Sequence, residues 1–188
     1  PCFIHGATIL PHPIFDVPQV LQRIEDERVT VFPGPPALFQ GLLNHPEMDQ
    51  YDTSSLRAAM TGAASIPVET VVDMRERLGF ETVITAYGMT ETHGLVTACA
   101  ADDPPGVVAS TSGKALPGME MKLVDDAGIE VATGEPGELL VRGYGVMRGY
   151  LDDPEQTAET IDADGWMRTG DICVMNEDGY IDITDRKK

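Results

Sequence analysis

Thr85-Ala86-Tyr87-Gly88-Met89-Thr90-Glu91-Thr92 follows directly on Thr82-Val83-Ile84, a run rich in β-branched residues that predicts a short strand. Gly88 breaks the strand pattern, and a hydroxyl (Thr90) and a carboxylate (Glu91) come just behind it. A strand ending in a glycine turn with polar residues puts those residues at the rim of a sheet. In open α/β sheets, ligands bind beyond the carboxyl ends of the strands. Thr can hydrogen-bond a phosphate oxygen, and Glu can hold Mg²⁺ beside it. Taken alone, the stretch reads equally well as an ordinary turn.

Upstream, strand-like and helix-like stretches alternate. Gly6 to Leu10 reads as a short buried strand ended by Pro11 and Pro13. Asp16 can cap a helix with Pro18 in its first turn and Val17, Val20, Leu21 and Ile24 at helical spacing. Val29 to Phe32 is a second strand, and Pro33-Gly34-Pro35-Pro36 a stiff loop before a helix bearing Leu38, Leu42 and Leu43. Leu56 to Met60 runs into the small-residue turn Thr61-Gly62-Ala63-Ala64-Ser65, and a helix through Val68, Val71, Val72 and Leu78 closes at Gly79. This order predicts βαβ units on a parallel sheet. Gly62-Ala63-Ala64 and Tyr87 to Thr90 then share one rim, where small side chains admit a flat ligand or simply tight helix–sheet packing.

From Pro104-Pro105-Gly106 the rhythm changes, and that tripeptide reads as a linker-like break. Short strands follow at Met119 to Val124, Glu138 to Arg142, Ile172 to Met175 and Tyr180 to Ile183, with one short helix from Pro154. Asn176 to Gly179 makes a hairpin connection. The expected fold class is α/β: a parallel-sheet βαβ subdomain over 1–106, then a small β-rich, strongly bent or barrel-like subdomain over 107–184.

Composition bounds the function. With 42% hydrophobic residues in 188, the chain can bury a core. Its formal net charge is -18, and acids exceed bases in both halves, so no basic patch suits nucleic acid or an anionic membrane. No apolar run approaches a membrane span. Three cysteines, Cys2, Cys99 and Cys173, have neither disulfide nor metal-ligand spacing, which suits a reducing cytoplasm. The first residue is Pro1 and the chain stops at Lys188, which reads as a fragment of a longer protein.

Four phrases in order resemble the adenylate-forming superfamily, and within it the acyl-CoA synthetases. They are Tyr87-Gly88-Met89-Thr90-Glu91, Gly137 to Gly143, Asp164-Gly165-Trp166-Met167-Arg168-Thr169-Gly170-Asp171, and Gly179 to Lys187. Ser54-Ser55-Leu56-Arg57 and Thr61-Gly62-Ala63-Ala64 also fit. The resemblance covers nearly the whole chain and implies part of the large N-terminal domain, with 185–188 leading into a hinge to a C-terminal domain.

It further implies that a carboxylic acid, fatty or aryl, is activated by MgATP to acyl-AMP and then passed to CoA as a thioester. Thr90 would bond the α-phosphate or the acyl-adenylate, and Glu91 would hold Mg²⁺. Tyr87 would stack on adenine, with Gly88 and Met89 beside the nucleotide, and Gly62, Ala63 and Ala64 would border adenine and the acyl group. Asp171 would accept both ribose hydroxyls, Arg186 would reach ribose or phosphate, and Asp185 would be the hinge. The family's phosphate-binding loop and its adenylate-neutralising Lys are expected before Pro1 and after Lys188, so this span alone is expected to be inactive. An amino- or aryl-acid adenylation domain that loads a carrier protein, a luciferase-like oxidase and a non-catalytic nucleotide-binding module remain as alternatives.

Overall fold

The structure, a computed structural model, describes residues 4–62 and 64–187. The first helix, α1 (Val17–Glu27), starts where expected: Asp16 Oδ1 accepts a hydrogen bond of 3.1 Å from the Gln19 amide, and Pro18 lies in the first turn. It buries Val20, Leu21 and Ile24. Then come β1 (Val31–Pro33), α2 (Pro36–Leu43), β2 (Ala58–Thr61), α3 (Val68–Glu76) and β3 (Thr82–Tyr87). The strands β1, β2 and β3 pair in parallel, with Thr61 opposite Thr85. The two-residue strands β4 (Thr97–Ala98) and β5 (Lys114–Ala115) add antiparallel, so the five-stranded sheet runs β1-β2-β3-β4-β5. Between β4 and β5 sits α4 (Pro105–Ser110).

The helices press on the sheet through one apolar cluster. Phe39 stands edge-on to both Phe32 and Phe80, with ring centroids 5.6 and 6.0 Å away. Leu21, Ile24, Leu42, Val71, Met74, Leu78 and Val83 fill the space around them. Burying each such side chain contributes about 1.5–3 kcal/mol.

The second sheet is an antiparallel meander of four strands: β6 (Met119–Val124), β7 (Pro136–Gly143), β8 (Met167–Met175) and β9 (Ile181–Arg186). A helix, α5 (Pro154–Thr160), lies between β7 and β8. Register shifts at Glu138/Leu140 and at Ile172/Cys173 mark bulges, which bend and twist the strands that carry them. The outer strands β6 and β9 do not pair among the described residues, so the bent sheet is open rather than a closed barrel. Its core of Met119, Leu123, Leu139, Val141, Met167, Cys173 and Ile181 also takes Val96, Tyr87 and Met89 from the first sheet's side. The end of β3 is thus packed into the second core.

Two expectations fail here. Gly6 to Leu10 forms no strand; it runs mostly exposed, with Gly6 at φ +63°. A short apolar run becomes a strand only where a partner offers ladder bonds, and none is supplied there by the described residues. Pro104-Pro105-Gly106 is no linker but the start of α4. Pro105 at the first helical position has its φ already set and no amide to leave unsatisfied. The two sheets are fastened just beyond this helix, where the Ser112 amide donates to Ile181 O at 2.7 Å and the Ile181 amide to Gly113 O at 3.1 Å.

Candidate active site

The turn after β3 doubles back on itself. The Val96 amide donates to Tyr87 O at 2.8 Å, and the Gly94 amide to Met89 O at 3.1 Å. Between them Thr90–Thr92 forms a single 3₁₀ turn. The Thr92 hydroxyl accepts from the Met89 amide at 3.1 Å and donates to Met89 O at 3.0 Å, closing the turn on itself. Gly88 is required by contact: a Cβ there would stand 1.8 Å from Gly94 O. The outcome is Thr90 exposed and Glu91 half-buried just past the carboxyl end of β3.

The facing wall comes from β8 and β9. Tyr87 Oη donates a short hydrogen bond to Asp171 Oδ2. Burial first, and then the Asp171 carboxylate, push the Tyr87 hydroxyl well above the usual phenol range. Arg186 Nε lies 3.6 Å from Asp171 Oδ1, and the arginine side chain is 74% exposed against 13% for the aspartate. Asp171 is therefore held from inside the protein, while the Arg186 side chain stands mostly in solvent. The bond to Tyr87 uses the phenol oxygen and not the ring.

Between the sheets lies a cavity of about 330 Å³ whose wall includes Met89, Glu91, Glu138, Tyr150, Arg168 and Arg186. Glu91 Oε1 accepts from Tyr150 Oη at 3.1 Å, and Glu91 O accepts from the Met147 amide at 2.7 Å. Burial and then Glu91 raise the Tyr150 hydroxyl above its ordinary range. Glu138, with 5% of its side chain exposed, accepts from Arg168 at 2.6 Å and from Lys187 at 3.1 Å. Lys187 also meets Asp126 at 2.9 Å, and its amide donates to Gly170 O at 2.7 Å, so the chain after β9 is tied down beside the cavity.

Of the expected site residues, Met89, Glu91 and Arg186 line the cavity; Thr90, Tyr87 and Asp171 do not, Asp171 standing between Tyr87 and Arg186 just outside it. Gly62 directly follows β2 and lies against β3, where a Cβ would lie 2.7 Å from Ala86 O. Ala64 is exposed two residues on, and Ala63 lies outside the described residues. Asp185 is exposed and only accepts from the Arg186 amide, at 2.7 Å. His93 is exposed, with Nδ1 2.8 Å from Gly145 O. Trp166 packs beneath Lys122 and Arg142 rather than toward the cavity, 4.3 and 4.5 Å from the two cations. Sequence reasoning did not single out Tyr150. Its only local signal is its place just ahead of the helix start Asp153-Pro154.

A family model described as AMP-binding enzyme matches residues 1–151. A 3-[(3aS,4S,7aS)-7a-methyl-1,5-dioxo-octahydro-1H-inden-4-yl]propanoyl:CoA ligase from Rhodococcus jostii is 52% identical over 187 residues, covering 100% of this chain and 34% of its own length. The ligase of the same name from Mycobacterium tuberculosis is 46% identical, with 100% and 35% covered. Among solved structures, O-succinylbenzoate Coenzyme A Synthetase (MenE) from Bacillus subtilis in complex with AMP aligns with a TM-score of 0.83 at 28% identity, covering 98% of this chain and 37% of that one. The chain spans about a third of the length of the curated relatives it matches.

Proposed function

The chain belongs to the AMP-binding enzymes, and on that premise we propose that the protein activates a carboxylic acid with ATP and transfers it to CoA. A carboxylate oxygen attacks the α-phosphorus of ATP, the bond to the bridging oxygen breaks, and pyrophosphate leaves. The CoA sulfur then attacks the acyl carbonyl carbon, AMP departs, and the thiol proton passes to solvent. The observation that carries this reading is that Glu91 from the β3 turn and Arg186 from the second sheet line one cavity, with Asp171 3.6 Å behind Arg186. Relatives named as CoA ligases support the reaction class.

In this reading Asp171 accepts the ribose hydroxyls. Its position is set in advance by Tyr87, so little is lost in ordering it on binding. Tyr87 offers its ring to adenine while its phenol oxygen holds Asp171. Thr90 donates to the α-phosphate from the exposed start of the 3₁₀ turn, and Gly88 keeps that turn tight. Gly62, Ala63, Ala64 and Met89 border the adenine and acyl groups. Arg186 reaches the ribose or a phosphate, and Asp185 serves as the hinge that follows the two units, the first of which takes in α4 and β5.

Glu91 is a hard oxygen donor whose second carboxylate oxygen has no hydrogen-bond partner among the described residues. That suits Mg²⁺, which takes one or two protein carboxylates and fills its shell with phosphate oxygens and water. Among the described residues no group of three His, Cys, Asp or Glu gathers to cage a metal. When bound, Mg²⁺ supplies charge neutralisation on the phosphates.

For the acid, the relatives at 52% and 46% identity are both named for one substrate, an alicyclic propanoate. A bulky carboxylic acid of that kind therefore stands ahead of the fatty and aryl acids. No described helix is long and apolar enough to cross a membrane. We place the protein in the cytoplasm on its cysteine usage, which suits a reducing compartment.

The test is ATP–pyrophosphate exchange by the full-length protein across alicyclic, fatty and aryl acids. Exchange that depends on one acid class supports the reading. An Asp171→Ala variant should raise the KM for ATP about tenfold or more, as expected for losing hydrogen bonds to a charged group. An exchange rate indifferent to every acid, or an unaltered ATP dependence in that variant, would refute it.

A further inference from the structure

The segment from Met147 into α5 touches Glu91 twice. The Met147 amide donates to Glu91 O at 2.7 Å, and Tyr150 Oη donates to Glu91 Oε1 at 3.1 Å. We infer that Tyr150 is a positioning residue: its hydroxyl fixes the plane of the Glu91 carboxylate, turning the other oxygen toward the cavity to meet a divalent cation. The inference rests on the proposed role of Glu91.

A glutamate on a short 3₁₀ turn has little to hold its terminal torsion, which is broad and roughly two-fold. An ionised carboxylate accepts only, so a neutral donor can orient it without competing for the cation. A tyrosine suits that task, being rigid beyond two torsions and long enough to cross from one sheet's side to the other. A lysine or arginine would instead neutralise the carboxylate it positions.

Tyr150 is itself held in place. Its amide donates to Thr157 Oγ1 at 2.9 Å, and that hydroxyl donates to Asp153 O at 2.8 Å. Asp153 Oδ1 caps α5 by accepting from the Gln156 amide at 2.9 Å. Gly149 sits at φ +150°, and a Cβ there would come within 2.7 Å of the Thr157 side chain. The loop can close on Thr157 only because residue 149 has no side chain. The chain therefore runs from a capped helix, through Thr157, to Tyr150 and on to Glu91. Partners that orient a metal-binding carboxylate typically change metal affinity by about 10–100-fold when removed.

The experiment measures ATP binding by calorimetry in the full-length protein, once with Mg²⁺ and once with EDTA. The ratio of the two Kd values reports how strongly the cation couples nucleotide to protein, without turnover. Glu91→Gln should abolish most of that coupling. Tyr150→Phe should cut it by roughly tenfold, leaving the Kd with EDTA and the thermal midpoint of the nucleotide-free protein as in the wild type. Thr157→Ala should act in the same direction, and Thr157→Ser should restore the wild-type ratio. If Glu91→Gln removes the coupling and Tyr150→Phe keeps it, Tyr150 is only a packing residue and this inference falls alone. If Glu91→Gln keeps the coupling, the metal role of Glu91 falls and the inference with it. A Tyr150→Phe protein that weakens ATP equally with and without Mg²⁺ also overturns it, since that is the mark of a general structural defect.

Discussion

Replacing Gly88 by Ala tests whether the turn after β3 is held by contact rather than by backbone preference. Gly88 is not among the glycines at positive φ, so alanine fits its backbone conformation. The obstacle is space. The new Cβ would lie 1.8 Å from Gly94 O, 2.5 Å from Gly94 C and 2.6 Å from Leu95 Cα, all main-chain atoms. Heavy atoms in contact stand at about 3.5 Å, so the returning strand would have to retreat by roughly 1.7 Å. The hydrogen bonds from the Gly94 amide to Met89 O and from the Val96 amide to Tyr87 O cannot survive that shift together. Losing one or two bonds at about 1 kcal/mol each, with overpacking of about 1–3 kcal/mol, gives an expected loss of about 3 kcal/mol.

The assay is equilibrium urea unfolding, followed both by far-UV circular dichroism and by Trp166, the one tryptophan, which reports on the second sheet. Two other glycines calibrate the result. Gly94 has open space but φ +106°, so Gly94→Ala should cost about 1–2 kcal/mol through backbone strain alone. Gly106 has open space and lies inside α4 without a positive φ, so Gly106→Ala should stabilise by about 0.4–1 kcal/mol. A Gly88→Ala loss below about 1 kcal/mol, or one no larger than that of Gly94→Ala, would refute the contact argument.

Three further outcomes follow from single contacts. Glu138→Gln should destabilise by about 1–2 kcal/mol in urea, because two cations lose a buried carboxylate but remain solvated; Arg168 and Lys187 are 46% and 37% exposed. No loss would show that the pairs contribute nothing. Tyr180 donates to Asp103 Oδ1 at 2.6 Å, and that bond, ahead of burial, pushes its hydroxyl up to about 12. A folded value above the unfolded one contributes stability present below pH 10 and lost as pH rises toward 12. Urea midpoints measured across that window should fall in the wild type and fall less in Tyr180→Phe; parallel profiles would count against it. Burial, then the Asp171 and Asp182 carboxylates, push the Cys173 thiol up to about 12. At neutral pH iodoacetamide should therefore label Cys173 only as fast as the protein unfolds, and labelling of the folded protein at the rate of a free thiol would overturn this.

What could be read ahead of the structure divides along sequence distance. Asp16 caps α1, and Asn176 Oδ1 accepts from the Asp178 and Tyr180 amides at 3.0 and 2.9 Å. Each of those bonds closes within a few residues, so residue type alone decides it. Strand β3 was legible for the same reason: β-branched residues and a glycine sit side by side. The failures were also local patterns, but ones whose outcome depended on something distant. Gly6 to Leu10 has the residues of a strand and, among the described residues, no partner to ladder with. Pro104-Pro105-Gly106 has the residues of a linker, yet Val108 just beyond is wholly buried, and that burial draws the segment into a helix. Strands β4 and β5 are two residues each and carry no pattern; they exist because β3 offers an edge. The site is the extreme case. Tyr87 meets Asp171 across 84 positions, and Tyr150 meets Glu91 across 59. Residue chemistry could nominate Glu91 because a carboxylate just past a strand end suits a ligand, whereas Asp171, in the middle of β8, was named only by the motif resemblance. Nothing local to Tyr150 could nominate it, since a tyrosine ahead of a helix has many. Its assignment needs the fold that returns α5 to the β3 turn, which is why Mg²⁺ coupling in Tyr150→Phe discriminates more sharply than any motif.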